Sequence, residues 1–169
     1  MDITLETILI SVLILLTGLS AGLCFTWTNA ITPGIGRLDD QVYLLSFQQM
    51  NRTIINPLFF VVFFGPSILG FICLYWFKGS PATLMWLLAS ATATYFFGVV
   101  LVTIFGNVPL NKMLDKIDLN TASKNELGQL RENFELKWNR LHLIRTITSV
   151  ISFLILLLAL IQTTKNSIQ

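Results

Sequence analysis

Uncharged apolar stretches alternate with short polar segments along the whole chain. Four stretches lack Asp, Glu, Lys and Arg altogether: residues 7–36, 53–77, 79–111 and 146–164. Each can supply the roughly 20 apolar residues that a helix needs to cross a bilayer. The pattern predicts four membrane-spanning helices, at about residues 4–29, 55–77, 82–106 and 143–163.

A short helix is predicted between the first two spans, at about residues 39–52. It begins at Asp39 and Asp40, and acidic residues favour a helix N-terminus. Polar amides interrupt its apolar face at Gln48 and Asn51, which is unusual for a helix that only lies on the membrane. We therefore expect this interfacial helix to lean on the mouth of the bundle and to turn its amides inward.

The last span is predicted to continue out of the bilayer as a long helix. Ser123 and Glu126 have the spacing of a capping box, and no proline follows them. Residues 123–142 should then form a helical extension that runs directly into the fourth span. The two parts together would measure about 60 Å at 1.5 Å per residue.

Prolines and glycines predict where the spans end, bend or pack. Pro33 and Gly34 should end the first helix, and Pro66 should kink the second because it removes a backbone hydrogen bond. Gly18 and Gly22 lie four residues apart and allow another helix to approach closely. That helix can belong to this chain or to a second copy in a homo-oligomer.

Composition fits a membrane protein. The 169 residues are 54% hydrophobic and only 12% charged, with a mean hydropathy of +0.72. Soluble proteins carry about twice that fraction of charge. The predicted fold class is all-α: an integral membrane four-helix bundle forming one domain over residues 1–169, with membrane lipids as its surroundings.

The placement of basic residues predicts the orientation. Lys78 and Lys165 lie on one side of a four-span arrangement, and the other nine of the eleven Lys and Arg residues lie on the opposite side. Basic residues favour the cytoplasmic side. Connections 1–2 and 3–4 should therefore be cytoplasmic and both termini outside, in a membrane of the bacterial inner-membrane type.

The final helix carries the most informative side chains. At about 100° per residue, Arg131, Trp138, His142 and Arg145 share one face. The only histidine suits proton transfer, and an arginine one turn later favours the neutral imidazole and can stabilise an anion. We interpret His142 and Arg145 as candidate catalytic residues. The alternatives are a histidine bonded to a backbone carbonyl and an arginine that reaches lipid headgroups.

Polar residues from several segments meet at the same membrane face as this stripe. They predict a pocket between the interfacial helix, the turn at residues 107–111 and the base of the last span. The candidate substrate-binding residues are Asn29, Gln48, Asn51, Arg52, Asn56, Asn107, Asn111, Arg131 and Trp138.

Several kinds of chemistry lack their motifs. The sequence has no Gly-rich phosphate loop, no Gly-x-Ser-x-Gly elbow and no Glu-x-x-His pair. Cys24 and Cys73 lie in apolar runs with a single histidine in the chain, so we expect buried thiols without a disulfide or a metal site. We predict no metal, no cofactor and no nucleic-acid partner, and no charged residue lies at mid-membrane to support ion transport.

Four polar segments carry a resemblance to a known family. They are GLCFTWTN at residues 22–29, followed by Pro33, FQQMNRTIINP at 47–57, NVPLN at 107–111 and WNRLHLIRT at 138–146. In this order they resemble the anthrone oxygenase-like family, a four-span group also treated as a domain of unknown function. The resemblance implies oxidation of anthrones to anthraquinones by molecular oxygen without a bound cofactor.

Two functions follow as hypotheses. The first is a cofactor-independent oxygenase for a small planar aromatic, anthrone-like or quinol-like, in which His142 removes a proton and Arg145 holds the anion. Trp138 would stack on the ring, and Arg52 or Arg131 would receive a phenolate or carboxylate. The alternative is a non-catalytic membrane protein that binds a hydrophobic small molecule such as a lipid or quinone, or mediates helix assembly.

Overall fold

The computed structural model describes residues 4–166 of the chain, and side chains as far as residue 163. These residues are helical almost throughout and contain no β-strand. The α-helices are α1 (Leu5–Thr26), α2 (Thr32–Ile35), α3 (Asp40–Ile54), α4 (Pro57–Trp76), α5 (Ala82–Tyr95), α6 (Val108–Asp115) and α7 (Lys124–Asn166); wider π-helical turns cover Trp27–Ile31, Phe96–Leu101 and Thr103–Asn107.

Four segments are long and apolar enough to cross a bilayer, which confirms the predicted fold class: Leu5–Ile35, Pro57–Trp76, Ala82–Asp115 and Lys124–Thr163. Only 28% to 39% of the most apolar window of each segment is buried inside the protein. The apolar surface that remains outside is compatible with an integral membrane protein, because lipid tails are as apolar as these side chains.

The first span runs further than the predicted residues 4–29. Helical structure continues through the π turn Trp27–Ile31 and into α2, which has Pro33 in its first turn. The π turn moves the backbone hydrogen bonds by one residue, so that the N–H of Thr32 bonds to the carbonyl of Trp27. The missing N–H of Pro33 therefore does not end the helix where the sequence suggested.

The last span packs between the first and the third. Helix α7 contacts both α1 and α5, and those two helices also contact α4. Glycine allows the close approach of α7, because a Cβ on Gly98 would lie 2.5 Å from the side chain of Thr148. Hydrogen bonds add specificity: the hydroxyl of Ser152 donates to the carbonyl of Ala91 at 2.9 Å.

Only one glycine of the Gly18 and Gly22 pair packs closely against another helix of this chain. A Cβ on Gly18 would lie 3.0 Å from the ring of Phe153 in α7, whereas one on Gly22 would meet no atom within 4 Å. Gly18 therefore serves packing between α1 and α7. Gly22 is exposed on the outside of the described bundle.

Helix α3 packs on the first half of α7. Asp39 caps it, its Oδ1 accepting from the N–H of Val42 at 3.0 Å. Phe47 is fully buried and contacts Phe134 and Trp138 of α7 through ring pairs 5.0 and 4.8 Å apart. This aromatic cluster fixes the end of the bundle at which the polar side chains gather.

Helix α7 begins with the predicted capping box. The hydroxyl and N–H of Ser123 donate to Glu126 at 2.7 and 2.8 Å, and the N–H of Glu126 lies 3.4 Å from the Ser123 hydroxyl. From this cap the helix continues without interruption for 43 residues. The stripe that includes Trp138, His142 and Arg145 is therefore held on one continuous helix.

Candidate functional site

A cavity of about 300 Å³ opens between α1, the end of α3, the start of α4, the end of the third span and α7. This volume is at the lower end of the range of small-molecule pockets, about 300–1,000 Å³. Its apolar wall comes mainly from four phenylalanines at the start of α4: Phe59, Phe60, Phe63 and Phe64. Polar groups lie at its inner end and at its mouth.

Arg145 lies at the inner end as a buried cation without a carboxylate partner. Its side chain is only 8% exposed, and no ion pair to it occurs among the described residues. Nη1 donates to the hydroxyl of Thr103 at 3.1 Å, Nη2 donates to Nδ1 of His142, and Nε has no hydrogen-bond partner. A buried charge is costly unless something compensates it, so this end of the cavity favours an anion.

The hydrogen bonds of His142 define its tautomer. A guanidinium has donors only, so Nδ1 of His142 must be the acceptor of the Arg145 bond. Nε2 then carries the hydrogen and donates to the backbone carbonyl of Cys24 at 3.0 Å. The imidazole is neutral, and its single lone pair points to the guanidinium.

Trp138 holds the imidazole from one side. The indole stacks on His142 with centroids 4.8 Å apart and planes 14° from parallel, and the guanidinium carbon of Arg145 lies 5.4 Å from the indole centroid. Nε1 of Trp138 donates to Oδ1 of Asn111 at 2.8 Å, and the backbone carbonyl of Trp138 accepts from Asn107 at 3.3 Å. The sequence predicted a turn here and an end of the third span at residue 106, but helical structure continues to Asp115, with Pro109 in the first turn of α6. This helical end of the third span orients the indole, and the indole positions the histidine.

The π-helical turns occur beside these polar groups. Trp27–Ile31 follows the carbonyl of Cys24 that His142 and Thr146 bind, and Thr103–Asn107 presents the hydroxyl that Arg145 binds. Such turns are rare in proteins overall, but those that occur are often at functional sites, because they redirect side chains and backbone groups. Here they occur on two helices that face α7.

The mouth of the cavity is charged. Nε of Arg52 donates to Oδ1 of Asp115 at 2.7 Å, and both side chains are about half exposed. Lys112, Asn51 and Asn111 also line this end. The side-chain amide nitrogen of Asn51 is buried without a partner.

Six of the eleven residues predicted from the sequence line the cavity: Asn51, Arg52, Asn111, Trp138, His142 and Arg145. The interpretation of His142 as bonded to a backbone carbonyl also holds, since Cys24 provides that carbonyl. The alternative in which Arg145 reaches lipid headgroups does not hold, because its side chain is buried between helices.

Five predicted binding residues do not line this cavity, and most of them have structural partners instead. The amide of Gln48 donates to the carbonyls of Leu114 and Ile117 at 2.8 and 3.0 Å, which ties α3 to the end of α6. Asn107 is buried behind the indole, and Asn29 is exposed on the outer side of the first span.

Asn56 and Arg131 are the other two predicted binding residues that do not line the cavity. Oδ1 of Asn56 accepts from the N–H of Phe59 at 2.9 Å and so caps α4. Arg131 binds Asp40 and Glu135 as well as two carbonyls that follow α2, and it lies 4.4 Å from the ring centroid of Tyr43. Burial raises the pKa of Tyr43, which keeps its hydroxyl protonated. Arg131 has no free face for a ligand in this cavity.

A second apolar groove of about 550 Å³ lies on the other side of the α3–α4 connection, and Asn56 lines it. It shares four side chains with the inner cavity: Leu23, Trp27, Ile54 and Phe59. These apolar groups are the partition between the groove and the cavity.

Sequence reasoning missed several residues of the site. Thr103 lies four residues before Asn107, so both fall on one helical face, which was the available signal. The phenylalanines of α4 look like any lipid-facing residues, and Cys24 contributes its carbonyl, which every residue has. Among the described residues, no three His, Cys, Asp or Glu side chains come together as a metal site requires.

Comparison with known proteins identifies a family. The family model described as anthrone oxygenase matches residues 59–155, more than half of the chain. The matched part includes the phenylalanine wall, the helical end of the third span and the stripe of α7. No curated protein and no solved structure matches the chain. The chain belongs to the anthrone oxygenase family.

Proposed function

We propose that this protein is a membrane oxygenase that uses molecular oxygen to oxidise a flat aromatic bearing an ionisable hydroxyl group, anthrone-like or quinol-like, without a resident cofactor. The observation that carries the proposal is Arg145, a buried cation with an unpartnered Nε at the end of an apolar cavity. An arginine in such a place is suited to an oxyanion that forms during the reaction.

The first step is removal of a proton from the substrate hydroxyl, which in an anthrone is the hydroxyl of the enol tautomer. When that oxygen enters the inner end, it takes over the Nη2 hydrogen bond of Arg145 and releases Nδ1 of His142, which accepts the proton. Arg145 then holds the oxyanion that results. Both groups act on the same oxygen, which agrees with their direct contact.

Oxygen then reacts with the electron-rich ring. The negative charge spreads to the ring carbon opposite the oxyanion, which carries one hydrogen in an anthrone-type substrate. That carbon passes electrons to oxygen and forms a carbon–oxygen bond, and the peroxide takes the proton back from His142. In an anthrone-type substrate, loss of the remaining hydrogen with the outer oxygen as water leaves a second carbonyl, so one O2 gives one quinone and one water. A quinol carries a hydroxyl on that carbon and would instead pass two electrons and two protons to O2, giving one quinone and one hydrogen peroxide.

The apolar wall supports this chemistry. Phe59, Phe60, Phe63 and Phe64 offer ring faces to an aromatic substrate and exclude water from the oxyanion, which strengthens its interaction with Arg145. Trp138 is fixed by Asn111 and keeps the imidazole in place rather than lying free for stacking. The proposed role of Trp138 is therefore to position His142.

The orientation follows from charge. Arg52, Lys112 and Asp115 lie at the mouth of the cavity. Because basic residues favour the cytoplasmic side, we place the mouth toward the cytoplasm and both chain termini outside.

One observation favours a second function, the binding of a lipid or quinone without chemistry. Both ring nitrogens of His142 already have partners, as in a histidine that only connects two helices. The two functions differ in what happens to a bound aromatic under oxygen.

The test is oxygen consumption by the purified protein in detergent with an anthrone or a quinol. We expect one O2 consumed per quinone formed, and a rate that depends on His142 and Arg145. If the bound substrate is recovered chemically unchanged after exposure to oxygen, the binding function is supported and the oxygenase proposal is refuted.

A further inference from the structure

The mouth of the cavity carries an excess of positive charge. Asp115 is the only carboxylate among the residues that line it, whereas Arg52 and Lys112 are both cations. Arg52 uses Nε for Asp115, and its other two nitrogens make no hydrogen bond to the described residues. Lys112 forms no ion pair within that same part of the chain.

Hydrogen-bond donors also outnumber free acceptors at the mouth. The buried amide nitrogen of Asn51 has no partner. The oxygen of Asn111, which faces the same cavity, already accepts from the indole of Trp138. The mouth therefore repeats the situation at the inner end, where Arg145 has a free Nε.

We propose that the ligand of this cavity is acidic at both ends: an aromatic ring system with an ionisable hydroxyl at Arg145 and a carboxylate at Arg52 and Lys112. This inference rests on the proposed function and narrows its substrate class. The apolar wall of α4 between the two charged ends takes the rings.

The Arg52–Asp115 pair determines how readily the mouth of the cavity accepts a ligand carboxylate. Both partners are about half exposed, so the pair itself is weak and a ligand carboxylate can displace Asp115 at little cost. Arg52 gives a carboxylate a planar pair of donors, and Lys112 adds a second charge.

The experiment compares two unreactive probes, a hydroxyanthraquinone and the same ring system with a carboxylate at the far end. Binding to the purified full chain in neutral detergent is measured by quenching of tryptophan fluorescence, since Trp27 and Trp138 line the cavity. We expect the carboxylated probe to bind about tenfold more tightly. The double variant Arg52→Gln, Lys112→Gln should lose this preference and keep its affinity for the other probe within about twofold.

Two single variants sharpen the result. Lys116→Gln removes the same charge at an exposed position that does not line the cavity, and it should leave the preference unchanged. Asp115→Asn removes the competing carboxylate, and it should tighten binding of the carboxylated probe alone. Equal affinities of the two probes for the wild type, or a preference that survives the double variant, would overturn the proposal.

A lipid headgroup could occupy the same cations, and the test separates the two sources of the anion. Micelles with added phosphatidylglycerol should not abolish the preference; its loss at a low fraction of anionic lipid would assign the mouth to lipid phosphate. A protein that binds both probes equally and still consumes oxygen with an anthrone would refute only this inference. A protein that binds neither probe would refute the proposed function as well.

Discussion

Arg145 donates a hydrogen bond from Nη2 to Nδ1 of His142, the residue one helical turn before it. The bond occupies the only lone pair of the imidazole and leaves Nε of the guanidinium without a partner. A substrate oxygen that binds Arg145 would therefore also release the base that removes its proton. In the proposed reaction, binding and deprotonation are thus coupled through one side-chain contact.

Replacing Arg145 with methionine should remove anion binding without unfolding the protein. Methionine has a similar length and no charge, so the cost of burying a cation disappears while His142 and Thr103 each lose a hydrogen bond. We expect the stability to change by about 1 kcal/mol or less, because these effects oppose each other. The rate of anthrone oxidation should fall about 100-fold, as for loss of an oxyanion donor.

The measurements are thermal unfolding in detergent and oxygen uptake with the same preparation. Arg145→Lys serves as the comparison, since it keeps the charge but not the fork that reaches both Thr103 and His142. A methionine variant that is as active as the wild type would exclude Arg145 from the reaction.

Glutamine at position 142 should preserve the structure but not turnover. Its amide can accept from Arg145 and donate to the carbonyl of Cys24, as the neutral imidazole does. It is not a base, so we expect probe binding within about threefold of wild type and a loss of turnover of about 100-fold or more. The His142→Ala variant should lose both probe binding and turnover. Restoration of turnover by glutamine would show that His142 only positions Arg145.

Alanine at Gly98 should destabilise the bundle. Its Cβ would lie 2.5 Å from Thr148, so the third span and α7 would have to separate. Overpacking of this kind costs about 1–3 kcal/mol. Gly22→Ala is the matched control, because a Cβ there meets no atom within 4 Å. Thermal unfolding of the two variants measures the difference, and equal midpoints would contradict the close packing of α7.

Glutamine at Arg131 should weaken the fold and leave the ligand unaffected. Arg131 connects α7 to Asp40 at the start of α3 and to the two carbonyls that follow α2, and it does not line the cavity. We expect a loss of stability of about 1–3 kcal/mol, because partly buried acceptors lose a charged donor. Tryptophan quenching should give an unchanged affinity for the hydroxyanthraquinone. A tenfold weaker affinity would instead show that Arg131 belongs to the binding site.

A bound ligand should protect Cys24 from thiol reagents. Cys24 lines the cavity, and the chain has one other cysteine, Cys73, which is buried in the core away from it. In the Cys73→Ser variant, a small membrane-permeant maleimide should label Cys24 slowly, and a saturating hydroxyanthraquinone should slow the labelling at least tenfold. Mass spectrometry of the intact protein gives the labelled fraction. Labelling at the same rate with and without the ligand would place the probe elsewhere.

The sequence by itself determined the number of spans, the helix between the first two and the long final helix, but not where the first and third spans end. These features depend on the length of apolar runs and on local caps such as Ser123 with Glu126, and both can be read from neighbouring residues. The α7 stripe was also predictable, because helical periodicity fixes which of its side chains share a face. Four residues of that stripe were identified in this way, and three of them line the cavity.

Only the tertiary structure decided which polar residues face the cavity and which hold helices together. Gln48, Asn107 and Arg131 have the same kinds of side chain as Asn51, Asn111 and Arg145, and their partners are backbone carbonyls or carboxylates from distant parts of the chain. The π turns, the carbonyl of Cys24 and the wall of phenylalanines likewise have no local signature. They depend on how the helices pack, and the packing arises from contacts between residues far apart in the sequence.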